Sequence, residues 1–319
     1  MKQNNKKKTI KTKNVLPMVM IRFSEIAIKS SKTRRWLTNQ LINHINYILD
    51  SYNFHDFQII KEYSRIFIKT EEPEKVCRII SVLVPGVAST SIVFHATTNL
   101  DQIQKVIQLH FSQDIRRSKT FAVRVKRTGK HSFTSIELAA KLGEYILKNN
   151  SDIQLKVDLS NPEYVLNVEV RDDDTYIFDK IVKGLGGLPT GCQGRALVIV
   201  EGTTEDVSNI IQLYKRGVST IIYSLENKIN LSSDFRKNVE GILALQNNLK
   251  IKERKINYDG KEVEILAFYT EYKCLAIGVS KTLFERISKI IPLTIPLLVP
   301  HLVTEIDYEE IKKITSFID

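Results

Sequence analysis

Cysteine is scarce in this chain of 319 residues: only Cys77, Cys192 and Cys274 occur, and no two of them form a CxxC pair. This scarcity argues against a disulfide framework and against a cysteine-ligated structural zinc, and it is typical of proteins of the reducing cytoplasm. The six histidines show neither HxH nor HxxxH spacing. Each is therefore expected to be hydrogen-bonded within the fold or exposed, and no metal site or catalytic triad is predicted.

Long apolar runs are also missing. The longest, around 290–303, is interrupted by three prolines and a histidine. It is shorter than the ~20 apolar residues that a membrane helix needs. The N-terminus is polar and lysine-rich with no apolar stretch behind it, so we expect no signal peptide, no membrane association and a cytoplasmic location. The sequence also lacks a Walker A motif and a nucleophile elbow.

Positive charge is abundant but unevenly distributed. Residues 1–184 contain 30 Lys and Arg against 19 Asp and Glu, a net charge of +11, whereas residues 185–319 contain 17 of each and are neutral. General solubility would not explain this division. A basic region joined to a neutral one indicates that the first region binds a polyanion, most simply a nucleic acid, and that the second has another task.

Three segments precede the neutral region. Residues 1–14 hold six lysines and no acid, which predicts a disordered basic tail. Residues 15–95 are predicted to form strand, helix, hairpin, helix and strand, an order that suits a ferredoxin-like α+β domain. Residues 96–184 are predicted to form a second α+β unit, in which 100–115 are a helix, 154–159 and 175–182 are strands, and Thr134 and Glu137 form a capping box. From 185 onward, glycine-rich turns lead into an α/β alternation.

Two clusters of cations stand out within the basic region. The first lies on the loop and first turn of the first long helix, where cations oppose the helix dipole and an anionic partner is plausible. The second lies on the strand FAVRVKRT and on the turn that leads to a helix N-terminus, a favourable receptor for phosphate. Phe133 in that turn could stack on a base, although packing in the core is the commoner role. The predicted RNA-binding residues are Lys29, Lys32, Arg34, Arg35, Arg124, Lys126, Arg127, Lys130 and His131.

The neutral region opens like a nucleotide site. An apolar run, 197–200, precedes a turn at Gly202 and a helical pattern, which is how many proteins hold a phosphate. The loop between them has one glycine and three carboxylates, Glu201, Glu205 and Asp206. Carboxylates at these positions would repel a phosphate.

Residues 22–36, RFSEIAIKSSKTRRW, resemble the RYGEIxLKGxNRxxF opening of the tRNA 4-thiouridine synthetases of the ThiI type. Residues 121–147 are similar to the centre of the THUMP domain of that family, and 169–200 to the run into its nucleotide domain. The resemblance covers nearly all of 18–223. It implies a ferredoxin-like domain over 15–95, a THUMP domain over 96–184 and a PP-loop-like α/β (Rossmann-like) domain over 185–319. In this family the first two domains bind tRNA, and the third adenylates uridine with ATP and Mg²⁺ before sulfur transfer.

The loop departs from the family pattern. The family's loop reads SGGxDS, whereas this chain reads EGTTED from 201 to 206, so most of the glycines and hydroxyls that would cradle pyrophosphate are gone. In the TGES-like loop of the family, this chain has Val279 in place of the glutamate. The corresponding nucleotide positions, predicted to be degenerate, are Glu201, Gly202, Thr203, Thr204, Glu205, Asp206, Gly278 and Ser280.

Sulfur chemistry is not indicated by the cysteines. The family's catalytic cysteine lies before the strand that leads to the TGES-like loop. Here Cys274 is expected inside that strand as a buried structural thiol. Cys192 is expected to be more exposed, but the family has no catalytic cysteine at that place. No catalytic residue is therefore assigned.

Three functions remain open from the sequence. The first is a tRNA-binding protein that acts in thio-modification without an intact ATP-pyrophosphatase site, for which no cofactor is assigned. The second is an active sulfurtransferase with an unorthodox site, which would require ATP and Mg²⁺. The third is a structural or regulatory partner of a tRNA-modifying or sulfur-donor protein, for which a homodimer would be an indication.

Overall fold

The computed structural model describes residues 16–23, 25–62, 64–224, 232–246, 261–300 and 307–317. The predicted basic tail, 1–14, lies outside these residues. Within them, no helix combines the length and apolar character that a bilayer-crossing segment needs.

The N-terminal region has the predicted order of elements. The side chain of Ser30 accepts a hydrogen bond from the backbone N–H of Thr33, which caps the first long helix at its start. The elements are β1 Met18–Arg22, α1 Ser31–Ser51, β2 Phe57–Lys61, β3 Ile66–Thr70, α2 Pro73–Leu83 and β4 Ser89–Thr97. The strands pair in the order β2-β3-β1-β4.

The second region is also α+β. The elements are α3 Leu100–His110, α4 Ser112–Arg117, β5 Thr120–Thr128, α5 Ser135–Asn149, β6 Lys156–Val157, β7 Tyr164–Arg171, β8 Asp174–Phe178 and β9 Val182–Lys183. The strands pair in the order β4-β8-β7-β5-β6, in which β5 and β7 are parallel and β7 and β8 are antiparallel. Helices α3, α4 and α5 share one apolar core with strands β5, β7 and β8.

Three predicted elements of this region differ from the structure. The helix predicted over 100–115 is two helices, because the helix is interrupted at Phe111, whose ring is buried in the core. The strand predicted over 175–182 is also divided, since β8 pairs with 94–97 of β4, whereas β9 pairs with Ser89 and Thr90. The strand predicted over 154–159 shrinks to the two residues of β6. The capping box of Thr134 and Glu137 is confirmed.

The C-terminal region is a parallel α/β domain, as predicted. Its elements are β10 Arg195–Val200, α6 Thr204–Lys215, β11 Ser219–Ser224, α7 Ser233–Leu245, α8 Lys261–Glu271, β12 Ala276–Gly278, α9 Lys281–Ile287, β13 Leu297–Leu298 and α10 Tyr308–Thr315. The four strands are ordered β11-β10-β12-β13, and every neighbouring pair is parallel. Both faces of β10 are buried, which explains its continuous apolar run.

The chain forms two compact units. One unit contains Ser91–Lys180 and Ile68–Pro73, and the other contains Met20–Phe67, Glu74–Thr90 and the residues from Ile181 onward. The second unit therefore combines helix α1 with the parallel sheet. The domain boundaries drawn from the sequence remain predictions.

Helix α1 is tied to helix α7 inside this second unit by buried polar groups. His44 Nε2–H donates to the carbonyl oxygen of Leu245 at 2.8 Å, because that oxygen can only accept. His44 Nδ1 then accepts from Thr190 Oγ1 at 3.3 Å. The hydroxyl of Tyr47 donates to the carbonyl oxygen of Ala244 at 2.6 Å. Both carbonyls lie in the last turn of α7, where helix carbonyls lie beyond the regular i+4 backbone pairing.

The burial of His44 makes the stability of the fold depend on pH. Burial lowers its pKa from 6.5 to about 4. Between these values the unfolded chain binds more protons than the folded one. The contribution of His44 to the free energy of unfolding is therefore fully present above pH 6.5 and decreases as the pH falls toward 4. The loss from this group is about 3 kcal/mol at most.

We expect the wild type to lose more stability than H44Q between pH 7 and 4.5 in urea titrations. Equal losses would contradict the assignment.

The segment before β10 depends on a glycine at 187. Gly186 and Gly187 have φ angles of 67° and 73°, the left-handed region. A Cβ atom on Gly187 would lie 1.9 Å from the carbonyl oxygen of Lys215, at the end of α6, whereas one on Gly186 would have no heavy atom within 4 Å. The turn can therefore approach α6 only if residue 187 lacks a side chain.

This difference gives a matched pair of variants. G186A should lose only the cost of left-handed backbone, about 1–2 kcal/mol. G187A should lose that cost and about 1–3 kcal/mol more from the clash with the helix end. Chemical denaturation of both variants measures the difference. Equal stabilities would show that the turn relaxes away from α6.

Candidate functional site

The first cation cluster, which we name the helix cluster, comprises Lys29, Lys32, Arg34 and Arg35 at the start of α1. Arg34 is half-buried and the other three are exposed. The first turn of α1 contains no acidic residue. Cations without acids at the positive end of a helix are unfavourable unless an anion compensates them.

A cleft of about 330 Å³ adjoins the helix cluster. Its charged lining contains three cations and one carboxylate, with Lys61 on β2 as the cation contributed from outside the cluster. The Nζ atom of Lys61 donates to Asn39 Oδ1 at 2.7 Å, which holds the ammonium group beside α1. The cleft is thus positively charged and lined by hydroxyl donors as well; its lining residues are Ser31, Arg34, Arg35, Thr38, Lys61 and Glu62.

The second cluster, which we name the strand cluster, comprises Arg124, Lys126, Arg127, Lys130 and His131. The first four are exposed and His131 is half-buried. Arg124 and Lys126 alternate along β5, so both side chains lie on the same face of the sheet. Lys126 is directly opposite Glu169 in the strand register, yet the carboxylate of Glu169 is held by Arg171 at 2.9 Å.

More of the polar groups in the turn after β5 are engaged in internal hydrogen bonds than the sequence predicted. His131 Nε2–H donates to the carbonyl oxygen of Thr128 at 2.9 Å, and its ring stacks on Phe133. Phe133 packs against the apolar core, which agrees with its commoner role. The capping box of α5 occupies the N–H groups of Thr134 and Glu137. Anion binding at this end of α5 would therefore depend mainly on side chains.

Most cations of the two clusters take no part in the salt bridges of the described residues. Across the described part of the chain, seven of the eight Lys and Arg residues of the clusters, all but Arg34, make no salt bridge. In the parallel domain, Lys215 contacts Glu310 at 2.5 Å and Arg286 contacts Glu201 at 2.6 Å. The clusters thus present positive charge that the fold does not neutralise.

The loop between β10 and α6 is closed by its own side chain. Asp206 Oδ2 accepts three backbone hydrogen bonds, from the N–H groups of Glu201, Gly202 and Thr203, each at 3.0 Å. Thr203 Oγ1 accepts in return from the N–H of Asp206, which completes a capping box. Asp206 is fully buried, and Gly202 has a φ of 99° that allows the three N–H groups to converge.

The other two carboxylates of the loop are also held. Glu201 binds Arg286, and Glu205 Oε1 accepts from the backbone N–H of Lys281 at 2.5 Å. These contacts join the loop to α9. The sequence predicted neither these contacts nor the capping box of α6, although the Thr203-x-x-Asp206 spacing is a signature of such a box.

The remaining predicted nucleotide positions offer little to a ligand. Gly278 is buried, and a Cβ atom on it would lie 3.0 Å from Leu213 and 3.2 Å from Val198, so its small size serves packing. Ser280 is also buried, and its hydroxyl bonds with Thr282 Oγ1 at 3.0 Å. Thr204 is exposed at the first position of α6. Asp206 Oδ2 already accepts from the three loop N–H groups that could otherwise receive a phosphate oxygen of ATP. Among the described residues, no group of three His, Cys, Asp or Glu side chains could hold a metal ion.

The cysteines have the properties of structural thiols. Cys274 lies two residues before β12, not within the strand as predicted, because pairing with β10 begins only at Ala276. It is nevertheless buried, and burial raises its pKa to about 11. Burial also raises the pKa values of Cys192 and Cys77. A thiolate nucleophile is therefore disfavoured at all three positions.

Comparison with known domain families agrees with this architecture. Residues 18–91 match the ThiI ferredoxin-like domain, and residues 97–179 match the THUMP domain. A C-terminal parallel α/β domain follows them.

Several curated proteins are similar in sequence. A probable tRNA sulfurtransferase of Methanosarcina mazei is 32% identical over 206 residues, which are 64% of this chain and 50% of that protein. A tRNA sulfurtransferase of Saccharophagus degradans is 34% identical over 204 residues, 62% of this chain and 41% of that protein. The similarity thus spans about half the length of these relatives or less.

Two solved structures share the fold over nearly the whole chain. PH1313 from Pyrococcus horikoshii has a TM-score of 0.75 at 24% identity, covering 95% of this chain and 99% of that chain. A 4-thiouridine synthetase in complex with RNA and bound ATP has a TM-score of 0.71 at 20% identity, covering 95% and 85%. At these identities the likeness shows the fold alone.

Proposed function

We propose that this protein binds tRNA through the helix cluster and the strand cluster and acts in tRNA thio-modification without an ATP-pyrophosphatase site of its own. The observation that carries the proposal is the set of seven cluster cations that make no salt bridge among the described residues. Lysine and arginine side chains of this kind supply the phosphate contacts that dominate affinity for nucleic acids.

The distribution of charge supports the same function. The whole net charge of +11 belongs to residues 1–184, which contain both clusters. The sulfurtransferases that the chain resembles act on tRNA by name, and a structure of the same fold was solved with RNA. The cleft beside the helix cluster adds a concave positive surface on which a phosphate could be held by Arg35 and Lys61.

The closed loop supports the second part of the proposal. A phosphate placed ~4 Å from the carboxylate of Asp206 would meet a repulsion of about 4 kcal/mol at an effective dielectric near 20. That repulsion corresponds to about a thousandfold in affinity. With buried thiols as well, adenylation and sulfur transfer would be supplied by a partner protein.

The strand cluster can be tested by removing three of its charges. The variant R124A/K126A/K130A should bind tRNA more weakly and should reduce the slope of log K against log [salt] by up to about 2.7, since each lost phosphate contact contributes ~0.9. Filter binding at several salt concentrations measures both quantities. An unchanged affinity and slope would show that the surface is misassigned.

The control for this experiment removes the same charge from another part of the same unit. K105A/K141A/K148A changes three exposed lysines on α3 and α5. Its affinity for tRNA should remain close to that of the wild type. An equal loss in both triple variants would mean that net charge alone, and not the strand cluster, drives binding.

The absence of a nucleotide site can be tested by calorimetry on the wild type. We expect no heat with ATP·Mg²⁺ at millimolar concentration, with or without bulk tRNA, beside clear binding of tRNA alone. Micromolar ATP binding that strengthens with tRNA would refute this part of the proposal and would favour an active sulfurtransferase.

A further inference from the structure

The loop between β10 and α6 has kept the shape of an anion receptor. The N–H groups of residues 201–203 point at one atom, each with a donor–acceptor distance of 3.0 Å. They stand at the N-terminus of the 12-residue helix α6, where the helix dipole adds positive potential. Successive N–H groups around a residue with positive φ form a concave site for an anion. An eroded loop would have lost this convergence.

We infer that the carboxylate of Asp206 is the built-in ligand of this loop, and that the loop is an oxyanion receptor which one side chain keeps closed. This inference rests on the part of the proposed function that denies a nucleotide site, and it is independent of tRNA binding. The ligand class is an oxyanion of the phosphate type.

Buried polar atoms beside the loop support the inference. Asp206 Oδ1, the second oxygen of the carboxylate that fills the loop, is buried and has no hydrogen-bond partner among the described residues. Both amide atoms of Asn209 are in the same state, and this side chain is fully buried as well. Residues 206 and 209 lie three apart on α6 and therefore on one face. The face of α6 that carries the carboxylate therefore has buried polar atoms that no hydrogen bond among the described residues uses.

Asp206 alone occupies the converging N–H groups. Glu201 Oε1 accepts from Arg286 and Glu205 Oε1 accepts from the N–H of Lys281, so each of these carboxylates has one oxygen engaged outside the loop. Arg286 would remain as a neutralising cation beside Glu201 if the loop were opened. Removal of one carboxylate, at position 206, should therefore be sufficient to expose the receptor.

The wild type should not exchange its own carboxylate for a ligand from solution. A group on the same chain acts at an effective concentration on the order of millimolar or above. The carboxylate of Asp206 also brings a full negative charge to three N–H donors, which makes these hydrogen bonds charge-assisted and strong. A free anion would have to displace it and leave it buried without partners.

The test uses inorganic pyrophosphate as the probe and calorimetry on the full chain. D206A and D206S should bind pyrophosphate at least tenfold more tightly than the wild type, because each removes the acceptor from the N–H groups. D206S introduces a hydroxyl that can accept a hydrogen bond at the start of α6, so it provides a second variant if D206A folds poorly. Thermal melting with and without pyrophosphate gives an independent readout: only the opened variants should gain stability from the ligand.

D206N is the matched control. Its amide oxygen can still accept from the three N–H groups while the charge is removed, so it should bind pyrophosphate no more tightly than the wild type. Tight binding by D206N would overturn the inference, since charge and not occupancy would then close the loop. Failure of both D206A and D206S to bind more tightly than the wild type would also overturn it, as would tight binding by the wild type itself.

The same samples separate this inference from the proposed function. All three variants should keep the tRNA affinity of the wild type, because position 206 lies in neither cation cluster. Loss of tRNA binding by the wild type would refute the proposed function and leave the pyrophosphate result standing.

Discussion

Three backbone N–H groups at the start of α6 converge on one acceptor, the carboxylate of Asp206. The N–H groups at a helix start have no partner within the helix and require an acceptor from elsewhere. In a nucleotide-binding loop the phosphate meets this requirement only while it is bound. Here the requirement is met permanently, which fixes the turn between β10 and α6 and allows Glu201 and Glu205 to engage α9.

Charge is distributed unequally over the molecule. Residues 185–319 carry no net charge, and some of their charges are paired, Lys215 with Glu310 and Arg286 with Glu201. A region without net charge has little field to attract a polyanion. The exposed cations of the helix and strand clusters have no such partners among the described residues, and their field extends into solvent. Sequence counts of charge already indicated this division, but only the structure shows that the seventeen cations and seventeen acids of 185–319 include mutually bonded pairs.

The sequence predicted the local features well and the distant contacts poorly. Helix α1, the capping box of Thr134 and the strand–loop–helix at 197–215 follow from spacing and capping residues within a few positions. By contrast, Glu201 and Arg286 are 85 residues apart in the chain. They meet only because β10 and β12 are neighbours in the sheet. That the loop is unsuited to phosphate stays a prediction, and its carboxylates were interpreted as repulsive groups and not as internal acceptors.

The bonds of α1 to the last turn of α7 bear on how such a molecule can change over evolution. His44 and Tyr47 are helix residues whose acceptors, Leu245 and Ala244, belong to the parallel domain. Deleting that domain would strip these acceptors from the same helix that begins with the helix cluster. The parallel domain therefore holds the helix on which the helix cluster lies, whatever reaction that domain performs.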